Sequence, residues 1–260
     1  MKPGFGVDLG CAQRWGIFVP SSTVLVRHRN LILVTTIIAL SGVLVSQRVT
    51  ADSSGASTTQ ADGSSTQIAA FARYVDAGGT HTCVVLDDAS LKCFGSSSSG
   101  QIGSGATANL GDAPSEMGDA LLPVNLGTGR TVRAVSTGTA HTCTLLDDGT
   151  VKCFGEGDGG RLGRGSTSDA GRSAASMGNA LLPINLGTGR SAKAIATGAA
   201  HTCVLLDDDS VKCWGVNDDG QLGLGDTDAR GDDPDEMGDN LPTVSLGLSA
   251  GVRVVSIAAG

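Results

Sequence analysis

The chain has 260 residues, a formal net charge of −8, 39 glycines and only eight aromatic residues. The many glycines and the lack of long apolar runs after the N-terminal region argue against a helical bundle and indicate short strands joined by turns, so we expect an all-β fold. Residues 1–51 hold five basic residues and one acidic residue, which leaves a net charge of −12 on the remainder. A surface of that sign repels phosphate backbones, so nucleic acid is not an expected partner.

Residues 1–51 have the features of an N-terminal extension and an export signal. A basic cluster at residues 27–29 precedes a mostly apolar run at residues 31–45, and small residues follow near Ala51. A membrane-spanning helix needs about 20 apolar residues, so the shorter run fits a cleaved secretory signal better. The alternative is an uncleaved anchor, in which case the chain would contact a membrane. We expect a secreted or cell-surface protein.

A linker and a folded region are expected to follow the signal. Residues 52–67 consist mainly of Ser, Thr, Gly, Ala and Asp, a composition that buries little and is typical of flexible linkers. The folded sequence is expected to begin near Ile68 and to fill residues 68–260.

The folded region contains three copies of a repeat with a period of 60 residues. The triplet His-Thr-Cys begins at His81, His141 and His201, and a Lys-Cys-aromatic-Gly segment and a Met-Gly pair recur at the same interval. Units with such a period stack so that each covers its neighbour. We expect the sequence to stop inside a further repeat. The complete copies are placed at residues 78–137, 138–197 and 198–257.

Each repeat is predicted to contain a β-hairpin. In the second repeat, two strand-forming runs flank a three-residue loop at residues 147–149, where Gly149 would adopt a positive φ. This loop sets Cys143 opposite Cys153 and points Lys152 outward. Cysteines placed opposite each other in an exported chain form disulfides. The expected bridges are Cys83–Cys93, Cys143–Cys153 and Cys203–Cys213.

The rest of each repeat adds strands to the hairpin. A glycine-rich turn at residues 160–165, a polar loop and two short apolar stretches give about four strands per repeat, which is typical of a β-propeller blade. Closed propellers have roughly four to eight blades. We therefore expect an incomplete β-propeller of about three four-stranded blades, an open arc whose uncovered edges permit self-association.

The repeat landmarks resemble those of a known family. Gly-x-x-His-Thr-Cys, Cys-Trp-Gly at residues 213–215 and Gly-Gln-Leu-Gly-Leu-Gly at residues 220–225 are similar to the repeats of the regulator of chromosome condensation family, above all its secreted bacterial members. The resemblance covers roughly residues 68–260. It implies a β-propeller, usually of seven blades, that serves as a protein-binding platform; members include a nuclear exchange factor for a small GTPase and a secreted inhibitor of β-lactamases.

No catalytic centre, metal site or cofactor is expected. The histidines recur once per repeat, as structural residues do, whereas a catalytic centre needs a single constellation. His-x-Cys with the second Cys supplies three ligands, one short of a structural zinc site. An ion site in the acidic stretch 226–239 is the alternative to a solvated loop, but the second repeat replaces these carboxylates, so the loop fold should not require them. The expected structural repeat residues are His81, His141, His201, Phe94, Phe154 and Trp214.

The sequence favours protein binding without catalysis. Three polar loops at residues 104–119, 164–179 and 224–239 differ most between repeats, and variable loops on a constant scaffold carry specificity. The alternative is an exchange-factor-like regulator of a small GTPase, which the resemblance implies. The candidate contact residues are Asp112, Glu116, Arg172, Asp232, Asp233, Asp235 and Glu236.

Overall fold

The computed structural model describes residues 72–260 in full and, before them, the backbone of four strands. The chain divides into two compact units, Met1–Ala69 and Ala70–Gly260. The predicted linker at residues 52–67 lies outside the described residues.

The first unit contains one antiparallel sheet. Three of its strands pair with the longest, β2, which occupies the centre. The strands include the region of the expected export signal, which stays a prediction. The strands are β1 (Thr23–His28), β2 (Leu31–Leu40), β3 (Val43–Ser46) and β4 (Val49–Thr50).

The second unit contains three antiparallel sheets of three strands, each with the His-Thr-Cys strand in the centre. Its described residues form no closed barrel, and the predicted all-β, incomplete-propeller fold is confirmed. Each sheet begins a few residues before the repeat boundary predicted from the sequence, because the strand before that boundary pairs with the His-Thr-Cys strand after it. The strands are β5 (Ala72–Ala77), β6 (His81–Leu86), β7 (Leu91–Gly95), β8 (Val132–Thr137), β9 (His141–Leu146), β10 (Val151–Gly155), β11 (Ala192–Thr197), β12 (His201–Leu206) and β13 (Val211–Gly215).

The fourth strand of each blade is reduced to an edge segment. One backbone N–H of this segment donates to the outer strand of its sheet. The bonds run from Val124 N to Leu91 O (2.7 Å), from Ile184 N to Val151 O (2.8 Å) and from Val244 N to Val211 O (2.8 Å).

The hairpins have the predicted register. Cys143 lies opposite Cys153, and Thr144 opposite Lys152. Gly149, the third loop residue, has φ 81°, a conformation that costs a residue with a Cβ about 1–2 kcal/mol. Ala89 and Asp209 adopt the same conformation in the other repeats, with φ 61° and 67°.

Successive sheets cover one another, so both faces of the second hairpin are buried. Phe154 and Trp214 are fully buried against the glycine-rich turn of the preceding repeat. The Trp214 Nε1–H donates to Arg161 O at 3.1 Å, and a Cβ at Gly163 would lie 2.7 Å from that nitrogen, so only glycine fits there. The prediction that Lys152 points outward is wrong: it is 6% exposed.

In the described part of the chain, helices occur only as 3-10 turns of three residues, and none is long and apolar enough to cross a membrane. The turns are Gly118–Ala120, Asp158–Gly160, Ala174–Ser176 and Gly238–Asn240.

Candidate functional site

The repeated histidines connect neighbouring sheets. His81 Nε2 lies 2.8 Å from Thr142 Oγ1, and His141 Nε2 lies 3.1 Å from Thr202 Oγ1. The Thr142 hydroxyl donates its proton to Gln101 O at 2.8 Å, so the histidine nitrogen must be the donor to it. The histidines are therefore structural links between blades.

Burial keeps these histidines neutral. Desolvation lowers the pKa of His81 to about 4 and that of His141 to about 3, and it also lowers the pKa of His201. The Nδ1 atoms of His81 and His141 are buried without a hydrogen-bond partner among the described residues. An added proton would place a charge between the sheets, which the nearby Asp76 carboxylate offsets only in part for His81.

The six repeat cysteines form one bridge across each hairpin. The sulfurs lie 2.14, 2.12 and 2.11 Å apart in the three repeats, and the Cα atoms of each pair are 4.1 Å apart. The second bridge is fully buried. These bridges join positions 10 residues apart and act as local staples.

The three long loops form a continuous band along the arc. Each follows the end of the hairpin opposite its turn, where the last glycine of the hairpin pairs with one loop residue in an isolated β-bridge. The pairs are Gly95–Leu110, Gly155–Ala170 and Gly215–Arg230. The second and third loops are joined by a backbone bond from Gly165 N to Gly231 O at 3.0 Å. The first and second loops are in close contact, since a Cβ at Gly105 would lie 2.8 Å from Ala174 Cα. Gly178 N also donates to Asn125 O of the preceding repeat at 3.0 Å. The loops therefore lie beside one another on fixed backbone.

Two of the candidate contact residues support their own loops. Glu116 Oε2 accepts backbone N–H bonds from three residues at positions 111–113, and Glu236 Oε2 accepts from Gly231 and Asp233. In the second repeat the Ser176 hydroxyl accepts from the equivalent backbone, Gly171 N, at 3.1 Å. Both glutamates thus hold the backbone of their own loops, and the serine hydroxyl shows that a neutral acceptor can take the same place. The hydrogen bonds also lower the pKa of Glu116.

The other candidates face solvent to different extents. Asp112 is exposed, and Arg172 is exposed beside Asp169, with 3.2 Å between guanidinium and carboxylate. Asp233 and Asp235 are exposed. Asp232 is half-buried with one carboxylate oxygen unpaired, and desolvation together with the nearby Glu236 and Asp233 charges raises its pKa.

The equivalent residues Asp112, Arg172 and Asp232 place opposite charges at the same point of successive loops. Residues 72–260 bring together no group of three or more His, Cys, Asp or Glu side chains suited to a metal ion. The three loops offer a mainly acidic surface whose charge changes from one repeat to the next.

Comparison with known proteins identifies the repeat. The family described as Regulator of chromosome condensation (RCC1) repeat matches residues 73–101, 132–161 and 192–221, and a second description of the same repeat matches residues 208–260. This chain is an RCC1-like repeat protein. The resemblance to this repeat family, inferred from the sequence landmarks, is confirmed.

Similar RCC1-like proteins are much longer than this chain. The Arabidopsis thaliana protein Ultraviolet-B receptor UVR8 is 31% identical over 189 residues, which are 72% of this chain and 37% of UVR8. The human E3 ubiquitin-protein ligase HERC2 is 32% identical over 152 residues, which are 58% of this chain and 3% of HERC2. The chain thus spans well under half the length of these relatives.

Solved structures show the same fold. Human WBSCR16 superimposes with a TM-score of 0.53 and 16% identity, covering 88% of this chain and 53% of WBSCR16. Prp20p of Saccharomyces cerevisiae superimposes with a TM-score of 0.51 and 17% identity, covering 73% of this chain and 42% of Prp20p. The RCC1-like fold supports a protein-interaction or regulatory module.

Sequence reasoning missed the repeated lysine of this RCC1-like chain. Lys152 Nζ donates to Leu126 O at 2.8 Å and to Gly178 O at 3.0 Å, and Lys212 Nζ donates to Leu186 O and Gly238 O. Desolvation lowers the pKa of both lysines. The lysine thus ties its own long loop to the preceding repeat. Its recurrence at every 60th residue was the signal.

Proposed function

We propose that this chain is an exported protein-binding module that contacts its partner through the three long loops and has no catalytic role. The observation that carries the proposal is a constant backbone with changing charge. Asp112, Arg172 and Asp232 occupy equivalent positions on loops that share the Met-Gly pair. In the second and third loops the glycine of that pair makes the same backbone bond to the preceding repeat, from Gly178 N to Asn125 O and from Gly238 N to Asn185 O. A rigid scaffold with interchangeable loop residues is how repeat proteins present binding surfaces.

Similar proteins support a protein partner without naming this one's. Prp20p is described by its binding to Gsp1p and histones, whereas HERC2 is described as an E3 ubiquitin-protein ligase. Proteins with this fold therefore differ in partner and role. An exchange-factor-like regulator of a small GTPase remains the second candidate function.

Site-specific photo-crosslinking tests the loop assignment. A photoreactive amino acid is placed at Arg172 or Asp233 in the loops, and at Asp148 or Asp208 in the hairpin turns as matched controls at the opposite end of the same strands. The full chain is then irradiated with extracellular proteins of its source. We expect one partner to crosslink to both loop positions and to neither turn. Crosslinks from the turns alone would contradict the proposal.

Export is the second part of the proposal. It is supported by the basic cluster and apolar run of residues 27–45 and by three cysteine pairs, since disulfides persist in oxidising compartments. Fractionation of cells that produce the full chain, followed by N-terminal sequencing, tests it. We expect a processed product outside the cytosol that begins near Ala51 or Asp52. An unprocessed, reduced cytosolic chain would contradict export and leave loop binding to be judged by crosslinking.

A further inference from the structure

A groove of about 570 Å³ lies between the second and third repeats. Its apolar surface includes Leu182, Pro183, Ile184 and Met237, and the Leu182 side chain at the rim is 67% exposed. The volume falls in the range of about 300–1,000 Å³ typical of ligand pockets. The groove can therefore hold several side chains of a bound segment.

Charged residues line the groove on two sides. Arg164 lies on the glycine-rich turn of the second repeat, and Asp235 and Asp239 lie on the long loop of the third. Arg164 and Asp235 are exposed, and within residues 72–260 neither side chain forms an ion pair or a hydrogen bond. Asp239 is held in place, since its carboxylate accepts from Thr188 N at 2.8 Å and from Thr188 Oγ1.

The equivalent place between the first and second repeats provides an internal comparison. There the glycine-rich turn packs in the same way, since a Cβ at Gly103 would lie 2.8 Å from Val124 and 3.1 Å from Met177. The residues that correspond to Asp235 and Asp239 are Ala175 and Asn179. Asn179 Oδ1 accepts a hydrogen bond from Thr128 N, as Asp239 Oδ1 accepts one from Thr188 N. The contacts that frame the groove therefore form without the two carboxylates.

We propose that the groove between the second and third repeats binds an extended segment of a partner protein that carries a Lys or Arg next to an aliphatic residue. The aliphatic side chain would lie on Leu182 and Met237, and the cation would pair with Asp235 and Asp239. The net charge of −12 outside residues 1–51 would attract a basic segment and raise its association rate. This inference rests on the proposed function and names the partner chemistry of one part of the loop surface.

Selection of peptides on the full chain tests the inference. A random octapeptide library on phage is selected against the unmodified protein, and the enriched peptides are synthesised and titrated at 50 and 300 mM salt. We expect enrichment of Lys or Arg beside Leu, Ile or Met, and weaker binding at the higher salt. The variant Asp235→Asn/Asp239→Asn removes both charges and leaves at position 235 a side chain that tolerates the positive φ of 69°. It should weaken binding at least about tenfold, the loss expected when a charged pair worth about 1.4 kcal/mol is removed.

The control variant is Asp218→Ala/Asp219→Ala, which removes the same charge at two exposed residues outside the groove. We expect its binding to stay within about twofold of the unmodified chain. Selection of acidic or uncharged peptides, or equal loss in both variants, would overturn the inference. So would a dimer that the groove variant dissolves, since a second copy would then be the occupant. Loop crosslinks that survive the groove variant unchanged would reject the groove and leave the proposed function standing.

Discussion

Replacing Thr142 with valine tests the link between neighbouring blades. Valine keeps the shape of threonine but removes the hydroxyl that accepts from His81 Nε2 and donates to Gln101 O. His81 is 3% exposed, Gln101 2% and Thr142 0%, so both partners lose a hydrogen bond away from water. Each unpaired buried group costs about 1–3 kcal/mol. We expect Thr142→Val to lower the free energy of unfolding by about 3 kcal/mol.

Two further valine variants provide an internal scale. Thr202→Val breaks the equivalent link, but Arg161 O still accepts from Trp214 Nε1, so the cost should be about 1 kcal/mol smaller. The equivalent Thr82 is half-buried, and its hydroxyl forms no hydrogen bond within the described residues. Thr82→Val should therefore change stability by less than about 0.5 kcal/mol.

Urea unfolding of the three variants, with disulfides intact, gives these differences. The predicted order of destabilisation is Thr142→Val, then Thr202→Val, then Thr82→Val. Equal costs for Thr142→Val and Thr82→Val would refute the argument that the histidine–threonine link joins the blades.

The remaining predictions concern pH, backbone conformation, the buried lysine and the disulfides. Folding lowers the pKa of His81 to about 4 and of His141 to about 3, so their contribution to stability is fully present above pH about 6.5 and falls as the pH drops toward 4. For the pair the loss reaches about 5 kcal/mol at pH 4.5. Urea midpoints that stay the same between pH 7 and 4.5 would contradict this. Gly149→Ala should destabilise by about 1–2 kcal/mol in thermal unfolding, whereas Ala89→Gly should not destabilise, since both positions have positive φ. Lys152→Met should speed hydrogen exchange at residues 177–180 and lower stability by about 2 kcal/mol, with exposed Lys193→Met as the control; unchanged exchange would show that the lysine does not hold the loop. Cys143→Ser/Cys153→Ser should cost about 2–3 kcal/mol, and an unchanged urea midpoint would count against a stabilising bridge.

The hairpin of each repeat and the stacking of the repeats could be predicted from the sequence. The three-residue turn with Gly149 determines the register, so the placement of Cys143 opposite Cys153 followed from local chemistry. The common period predicted stacked blades. The burial of Lys152 was missed because alternation along a hairpin assigns one face to solvent, whereas the neighbouring repeat covers that face.

Loop side chains were the least predictable part of the site. Glu116 and Glu236 look like acidic contact residues, yet each satisfies backbone N–H groups of its own loop. Comparing repeats concealed this role, because Ser176 accepts the same kind of bond with a shorter, neutral side chain. Exposed Asp233 and Asp235 carry no such role and remain candidates for partner contact.

The stacking of blades through the repeated histidines is tested most directly by nuclear Overhauser contacts in the folded chain. We expect contacts from the His81 ring to the Thr142 methyl group and from the His141 ring to the Thr202 methyl group, each across 61 positions of sequence. Their absence in a chain whose three hairpins are intact would show that the repeats fold side by side without forming a propeller arc.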